Sequence, residues 1–174
     1  MPLADGQHLT YGVSLDAPDA SHQIVHMDDS YMYEIKALDN ARWHVEGSRG
    51  QFSTGPGSSY TIDKSATITA QDQSEFAKWK VGRRFNDLWL APDDRQTGKV
   101  THPLDDFGDF TVGPEAVWHQ WDVLPAVSTG TDTTKTRYYE ATSGWLVGME
   151  LERTTDGSRR VDVLSDANVG IPTH

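Results

Sequence analysis

The sequence predicts a mainly β fold, namely a curved antiparallel sheet or an open β-barrel with a C-terminal meander and at most one or two short helices. Apolar residues recur at every second position along much of the chain, turn-forming residues separate these segments, and prolines fall between them. A length of 174 residues is typical of one domain. We therefore predict a single β domain over residues 1–174.

Strands with one buried and one exposed face are predicted first in the N-terminal half. Large apolar side chains alternate with small or polar ones over residues 9–15, and again over residues 31–37. Shorter stretches of the same pattern occur at residues 43–45 and 60–70. Each stretch predicts one strand.

The C-terminal third predicts an antiparallel meander, because short turn-forming segments separate its alternating runs. In the first run, a period of two places His119 and Trp121 on one face and Trp118 and Gln120 on the other, and Pro125 follows the run. The four predicted strands are residues 117–124, 135–142, 145–153 and 159–164.

Helices are predicted at two places at most. Residues 71–80 can form two turns, with Phe76 and Trp79 on one face. A short helix over residues 19–27 is the weaker prediction.

The composition excludes several classes of function. The chain has no cysteine, which excludes disulfide scaffolds, thiolate metal sites and cysteine nucleophiles. Its net charge of −11 argues against binding to nucleic acid or to an anionic membrane. No apolar run is long enough for a transmembrane helix. The acidic residues are mostly Asp, which fits either a high-salt habitat or an acidic domain rich in turns.

Metal-binding patterns are present only in part. His22 and His26 have a spacing that places two imidazoles on one helix face, but an exposed polar loop explains them equally. The segment that contains Asp105, Asp106 and Asp109 has oxygen ligands of the kind that Ca²⁺ prefers, or it is a solvated turn. We predict no metal and no cofactor.

No catalytic motif is recognisable, and we predict no catalytic residue. A GxSxG nucleophile elbow is absent from the sequence. An alternative is a small-molecule enzyme in which His119, beside a tryptophan, acts as general base.

Aromatic side chains are the main candidates for ligand binding. The chain has six Trp, six Tyr and five Phe, and aromatic side chains on one wall of a sheet suit an apolar ligand. Packing within an ordinary β core is the other explanation. The predicted ligand-binding residues are Tyr31, Tyr33, Trp118, Trp121, Tyr139 and Trp145.

Five segments occur in an order that is known from another group of proteins: PLADGQHLTYGVS (2–14), FAKWKVGRRFNDLW (76–89), FTVGPEAVWHQWDVL (110–124), RYYEATSGWLVGMEL (137–151) and LSDANVGIP (164–172). Together they resemble an uncharacterised bacterial envelope-protein family. That family is similar in style to the LolA and LolB lipoprotein carriers, whose curved antiparallel sheet holds an acyl chain. The resemblance implies an extracytoplasmic β domain, in the periplasm or at the cell surface, without an active site.

Three functions follow as hypotheses. The first is a non-enzymatic extracytoplasmic β domain that binds an apolar small molecule or a protein partner on a curved sheet. The second is a structural subunit of a filament, an envelope layer or a virion, which self-associates through the terminal segments 1–8 and 168–174. The third is the enzyme that uses His119. The given sequence starts without a recognisable leader, so we expect either that the protein is made without export or that a leader has been removed.

Overall fold

The computed structural model describes residues 3–48, 59–65, 67–72, 81–84, 88–101 and 109–173. This part of the chain contains twelve strands and one short 3-10 helix, Pro92–Asp94, and no α-helix. The strands are β1 Gln7–Pro18, β2 Ile24–Ala37, β3 Arg42–Gly47, β4 Ser59–Asp63, β5 Ile68–Asp72, β6 Val100–Thr101, β7 Phe110–Val112, β8 Ala116–Trp118, β9 Trp121–Thr129, β10 Thr133–Glu140, β11 Leu146–Arg153 and β12 Arg159–Ala167.

All of these strands belong to one curved sheet, and every strand pair is antiparallel. The strand order is β5-β4-β3-β2-β1-β12-β11-β10-β9-β7-β6, and β8 pairs with β9 beside β7. The first and last strands therefore pair in the middle of the sheet, while β5 and β6 form its two edges. The edges are not joined by strand pairing, so the sheet stays open, and the fold class predicted from the sequence is confirmed.

Most of the hydrophobic core lies on one face of the sheet, here called the inner face and defined by Leu9, Tyr11 and Val13 of β1. These side chains share a face because they alternate along the strand, and all three are buried. Their cross-strand neighbours continue the core, since paired residues project to the same side. Ile35 pairs with Val45, and both belong to the same buried cluster. The opposite side is called the outer face.

Two predicted strands are wrong: residues 60–70 belong to two paired strands, β4 and β5, and residues 117–124 form a hairpin rather than a single strand. β8 ends at Trp118 and β9 begins at Trp121, and these two tryptophans pair across the turn. His119 has a φ of 51°, a left-handed conformation of the kind that tight two-residue hairpin turns require. The hairpin places Trp118 and Trp121 on the same face, contrary to the period-two prediction.

Pro125 lies inside β9 rather than after it. On that side of β9, β8 pairs as far as Val123 and β7 begins to pair at Ala126. Pro125 falls in the gap between these two neighbours, and its carbonyl accepts a hydrogen bond from Gly113 N at 2.7 Å. The missing N–H of proline therefore costs the sheet no ladder bond.

The short helix predicted over residues 19–27 is also wrong. β1 and β2 pair as far as Pro18 and Ile24, which leaves only a five-residue turn. The Asp19 carboxylate accepts hydrogen bonds from Ser21 N and Gln23 N, at 2.7 and 3.0 Å, and these bonds stabilise a turn instead of a helix. Of the other predicted helix, residues 71 and 72 end β5, and residues 73–80 lie outside the described residues.

The described parts of the terminal segments contact their own chain. Gly6 N donates to Ile35 O at 3.0 Å, and Asn168 Nδ2 donates to Gly6 O at 2.9 Å. Self-association through these segments stays a prediction. In the part of the chain that the structure describes, no helix has the length and apolar character needed to cross a membrane.

Candidate functional site

Tyr31 and Tyr33, two of the predicted ligand-binding residues, form an aromatic cluster with Tyr11 on the inner face. The rings of Tyr11 and Tyr31 are stacked, with centroids 5.1 Å apart and planes 19° apart. Tyr33 meets both rings edge-on, at 6.3 and 5.8 Å. Tyr11 is fully buried, and its hydroxyl donates to Leu146 O at 2.8 Å. The cluster therefore connects β1, β2 and β11 across the middle of the sheet.

A buried carboxylate joins this tyrosine cluster. Asp162 on β12 has no exposed surface, and it accepts a hydrogen bond from the Tyr31 hydroxyl at 2.8 Å. Arg160 donates two further hydrogen bonds to it, Nε to Oδ1 at 2.7 Å and an Nη to Oδ2 at 2.9 Å. The Arg160 guanidinium also lies 6.0 Å from the Tyr31 ring centroid. Asp162 is thus a buried charge with a paired cation and a hydroxyl donor, as such charges require.

The pKa values in this cluster follow from burial and from the Asp162 charge. Burial raises the pKa of Tyr31 well above its ordinary value, and the charge of Asp162 raises it further. The pKa of Tyr11 is also raised well above its ordinary value, chiefly by burial. Burial opposes the charged form of Arg160, but the hydrogen bond and charge of Asp162 outweigh it and raise the pKa. Both tyrosines are therefore neutral donors, and Arg160 stays charged.

Trp118 and Trp121 come together on the outer face, with Tyr138 as their neighbour. The Trp118 ring stacks on Tyr138 at 4.3 Å and on Trp121 at 6.2 Å, with planes 11° and 23° apart. Trp118 Nε1 donates to Glu150 Oε1 at 3.2 Å. Burial, followed by the Glu150 charge, raises the pKa of Tyr138 to about 12. This aromatic stack holds the β8–β9 hairpin against the sheet.

The remaining two predicted site residues, Tyr139 and Trp145, are core residues. Their exposed fractions are 0% and 2%, and both belong to the main buried cluster. The structure therefore divides the six predicted residues into an inner-face pair, an outer-face pair and two core side chains. A ligand-binding role for any of them stays a prediction.

The candidate catalytic and metal-ligating residues are placed as follows. His119 is exposed at the tip of the β8–β9 turn, and its ring is perpendicular to the Trp118 ring, with centroids 4.2 Å apart. His22 and His26 lie at the β1–β2 turn and on β2, not on one helix face. Asp105 and Asp106 lie outside the described residues. No group of three or more His, Asp or Glu side chains suited to a metal ion occurs among the residues that are described.

A cleft of about 650 Å³ opens between the two edges of the sheet. Arg83 and Arg84 belong to the β5 side, because Arg83 O accepts from Ile68 N at 2.9 Å and Arg84 forms a bridge with Thr67. The β6 side contributes residues of that strand and of the segments next to it. The full described lining is Arg83, Arg84, Asp94, Lys99, Val100, Thr101 and Asp109.

An ion pair connects the two sides of this cleft. Arg84 donates to Asp94 at 3.0 Å and lies 3.9 Å from Asp93. Lys99 Nζ is 3.8 Å from the other Asp94 oxygen. Asp94 is 8% exposed, so both of these cations neutralise a largely buried carboxylate. The sheet is therefore held curved by side chains at the place where strand pairing stops.

Arg95 holds the segment that leads into the cleft against the β10–β11 turn. Its guanidinium donates to Leu90 O, Thr142 O and Ser143 O at 2.8, 2.5 and 2.7 Å. Gly144 adopts a φ of 79°, and a Cβ there would overlap both Arg95 and Leu90 O. This clamp positions the 3-10 helix that provides Asp94.

Sequence reasoning missed the partners of the predicted aromatic residues and the whole cleft. Tyr11 lies in the alternating run of residues 9–15, and the large apolar side chains on its face predict that it is buried. Asp162 lies between Val161 and Val163, an alternation that predicts a solvent-facing side chain. It is instead buried, because Asp162 projects to the inner face, where the tyrosine side chains of β1 and β2 cover it.

Comparisons with known proteins give the following findings. No family model matches the chain, and no curated protein matches it. Among solved structures, a LolA superfamily protein from Nitrosomonas europaea is similar over 99% of this chain and 89% of its own, with 14% identity and a TM-score of 0.32. A DUF1329 family protein from Desulfovibrio piger is similar over 98% of this chain and 89% of its own, with 12% identity and a TM-score of 0.30.

Proposed function

We propose that this chain is a non-enzymatic binding protein that takes an apolar ligand through the cleft between β5 and β6, against the inner face of the sheet. The observation that carries the proposal is the cleft itself. Its volume of about 650 Å³ is within the range of about 300–1,000 Å³ that small-molecule sites occupy.

Buried apolar side chains flank this cleft on both sides. Ile68 on β5 is fully buried and exchanges backbone hydrogen bonds with the segment that contains Arg83. Phe110 on β7 is fully buried and pairs with Thr101, which lines the cleft. Ile68 and Phe110 have no exposed surface of their own, whereas Val100 of the described lining is 44% exposed and gives an apolar ligand surface to cover.

We also propose that the domain works outside the cytoplasm, in line with the family resemblance noted from the sequence. The test is fractionation of the native producing cell. Release of the protein by osmotic shock is expected, and recovery only with cytoplasmic markers would contradict the proposal.

Binding is tested with N-phenyl-1-naphthylamine, a neutral apolar probe that becomes fluorescent in apolar surroundings, and with dodecanol as competitor. We expect saturable fluorescence that dodecanol displaces. Val100→Trp should weaken probe binding, because Val100 lines the cleft and a larger side chain fills it. Val100 is 44% exposed on an edge strand, so the fold should accept the substitution.

The matched control is Val117→Trp, at a position that is 69% exposed on β8 and does not belong to the described lining of the cleft. Its affinity for the probe should equal that of the parent chain. Equal weakening by both substitutions, or no saturable binding by the parent chain, would count against the proposed function.

A further inference from the structure

We infer that the ligand carries an anionic head group, a carboxylate or a phosphate, which binds in the cleft to Lys99, Arg83 and the hydroxyl of Thr101. This inference rests on the proposed function and specifies its ligand class. Its three steps are the local charge, the buried hydroxyl of Thr101, and the position of both beside apolar surface.

The charge of the cleft is opposite to that of the chain. Its described lining holds three cations, Arg83, Arg84 and Lys99, against two carboxylates, Asp94 and Asp109. The described lining of the cleft is thus net positive by one, whereas the whole chain has a net charge of −11. A local field of this sign concentrates anions and repels cations.

Thr101 provides a hydrogen-bond donor that the described protein atoms do not use. The residue is 1% exposed, and its Oγ1 has no hydrogen-bond partner among the residues that the structure describes. A buried hydroxyl without a partner costs about 1–3 kcal/mol, so such groups in native proteins usually meet a ligand or an ordered water. Because Thr101 lines a cleft that is rich in cations, an anionic oxygen is the acceptor that suits both the hydroxyl and the local charge.

Arg84 and Asp94 have a different role in this site. Their ion pair, with 3.0 Å between Nη1 and Oδ2, joins the two edges of the sheet. It also holds one oxygen of the Asp94 carboxylate, while Lys99 Nζ lies 3.8 Å from the other oxygen. Lys99 lies at the margin of this pair and is 46% exposed, so its ammonium can reach an oxygen of an entering head group.

The site therefore suits an amphiphile, with its head group at the cations and its chain beside the exposed apolar side chain of Val100. A free phosphate ion has the same head-group chemistry without the chain. The experiment must separate these two sources, and it must separate both from a purely apolar ligand.

The experiment compares four twelve-carbon competitors against bound N-phenyl-1-naphthylamine: dodecanoate, dodecyl phosphate, dodecanol and dodecylamine. Inorganic phosphate is titrated alone by calorimetry. We expect the two anions to bind about tenfold or more tighter than dodecanol, since a charge-assisted hydrogen bond contributes about 1.5–3 kcal/mol. Dodecylamine should bind less tightly than dodecanol, and the anion preference should fall with added salt.

Two variants locate the preference. Lys99→Gln and Thr101→Val should each weaken dodecanoate by about threefold to tenfold and leave dodecanol unchanged. The matched control is Lys36→Gln on β2, a lysine that is 52% exposed and paired with Glu34 and Glu46. The urea unfolding midpoint of Thr101→Val is measured in parallel, and Lys99→Gln provides the test if the valine variant fails to fold.

The outcomes separate this inference from the proposed function. If dodecanol binds as tightly as the anions, or Lys99→Gln loses no more anion affinity than Lys36→Gln, the anionic head group is overturned and the apolar function remains. If inorganic phosphate binds in a way that depends on Lys99 while no twelve-carbon compound binds, the anion site remains and the apolar function fails. If neither phosphate nor any amphiphile binds, both are overturned.

Discussion

Asp162 is the side chain on which the polar part of the inner face depends. It is fully buried and serves as acceptor for both Tyr31 and Arg160. A buried ion pair adds little net stability compared with an apolar pair, but removing one partner leaves the other without compensation. The Tyr31 hydroxyl and the Arg160 guanidinium would lose that compensation together.

We therefore expect Asp162→Asn to lower the free energy of unfolding by roughly 2–4 kcal/mol, measured by urea unfolding with an unchanged m-value. Asp166→Asn on the same strand is the control. The Asp166 side chain is 71% exposed and pairs with His8, and an exposed pair contributes at most about 1 kcal/mol. Similar losses in the two variants would show that Asp162 has no special role.

Gly148 on β11 allows the Trp118 ring to lie against the sheet. A Cβ at this position would overlap the ring of Trp118 and would come within 2.7 Å of Asp162 O. Gly12 on β1 belongs to the same row, since both glycines pair with Val163. A Cβ at Gly12 would meet only Val163 O, at 4.0 Å.

This contrast gives a prediction. Gly148→Ala should lower the free energy of unfolding by roughly 1–3 kcal/mol through overpacking, whereas Gly12→Ala should change it by less than about 1 kcal/mol. If the ring is the obstacle, Gly148→Ala should cost less in a Trp118→Ala background than in the parent chain, and a double-mutant cycle should measure this as a non-zero coupling energy. A coupling energy near zero would mean that Trp118 does not lie over Gly148.

At the scale of elements, the β1–β2 hairpin carries a pH-dependent contact near its turn. His26 Nδ1 lies 2.7 Å from Asp16 Oδ1, and its Nε2 lies 3.1 Å from Asp28 Oδ1. Both ring nitrogens donate only in the imidazolium form. The hydrogen bond to Asp16, followed by the charge of Asp28, raises the pKa of His26 above its ordinary value.

The sign of the pH dependence follows from the raised pKa. The contact stabilises the hairpin fully below pH ~6.5, the ordinary histidine value, and this stabilisation is lost as the pH rises through the higher folded-state pKa. We expect His26→Gln to lower the Tm at pH 5.5 and to leave it unchanged at pH 9. In the Asp16→Asn control, NMR titration should give a lower His26 pKa than in the parent chain. An equal change in Tm at both pH values would contradict the assignment.

A sequence pattern predicts an element correctly here only where burial on one face of a strand causes the alternation of side chains. The alternation in residues 9–15 and 31–37 predicted β1 and part of β2, because burial on one face imposes a period of two. The error at residues 117–124 arose because His119 and Gln120 continue the same alternation while their backbone turns. Of the candidate site, the pairing of Tyr31 with Tyr33 could be predicted locally, whereas Asp162 and Arg160 reach them only through strand pairing.

At the scale of the whole molecule, stability should decrease from the middle of the sheet toward its edges. β1 and β12 each have a paired neighbour on both sides, while β5 and β6 are paired on one side only. We expect the hydrogen-bonded amides of β1 and β12 to exchange only through global unfolding, and those of β5 and β6 through local opening. Hydrogen exchange with mass or NMR detection measures this order.

The ion pair in the cleft allows the stability of the two sheet edges to be changed separately from that of the middle. Arg84→Gln removes the ion pair between the sheet edges, so it should speed exchange in β5 and β6 and leave β1 and β12 unchanged. Uniform exchange across all strands of the parent chain would contradict the prediction. It would mean that the two edges open only when the whole domain unfolds.

By itself, the sequence determined that this protein is a cysteine-free, acidic, antiparallel β domain, because side-chain alternation and turn residues are local signals. Only the tertiary structure decided that β1 pairs with β12, that Asp162 is buried beneath the tyrosine cluster, and that Arg83 and Thr101 line one cleft. Arg83 follows β4 and β5, whereas Thr101 belongs to the opposite edge of the sheet. Their meeting depends on how far the sheet curves, and curvature arises from the packing of the whole inner face, which no local pattern encodes.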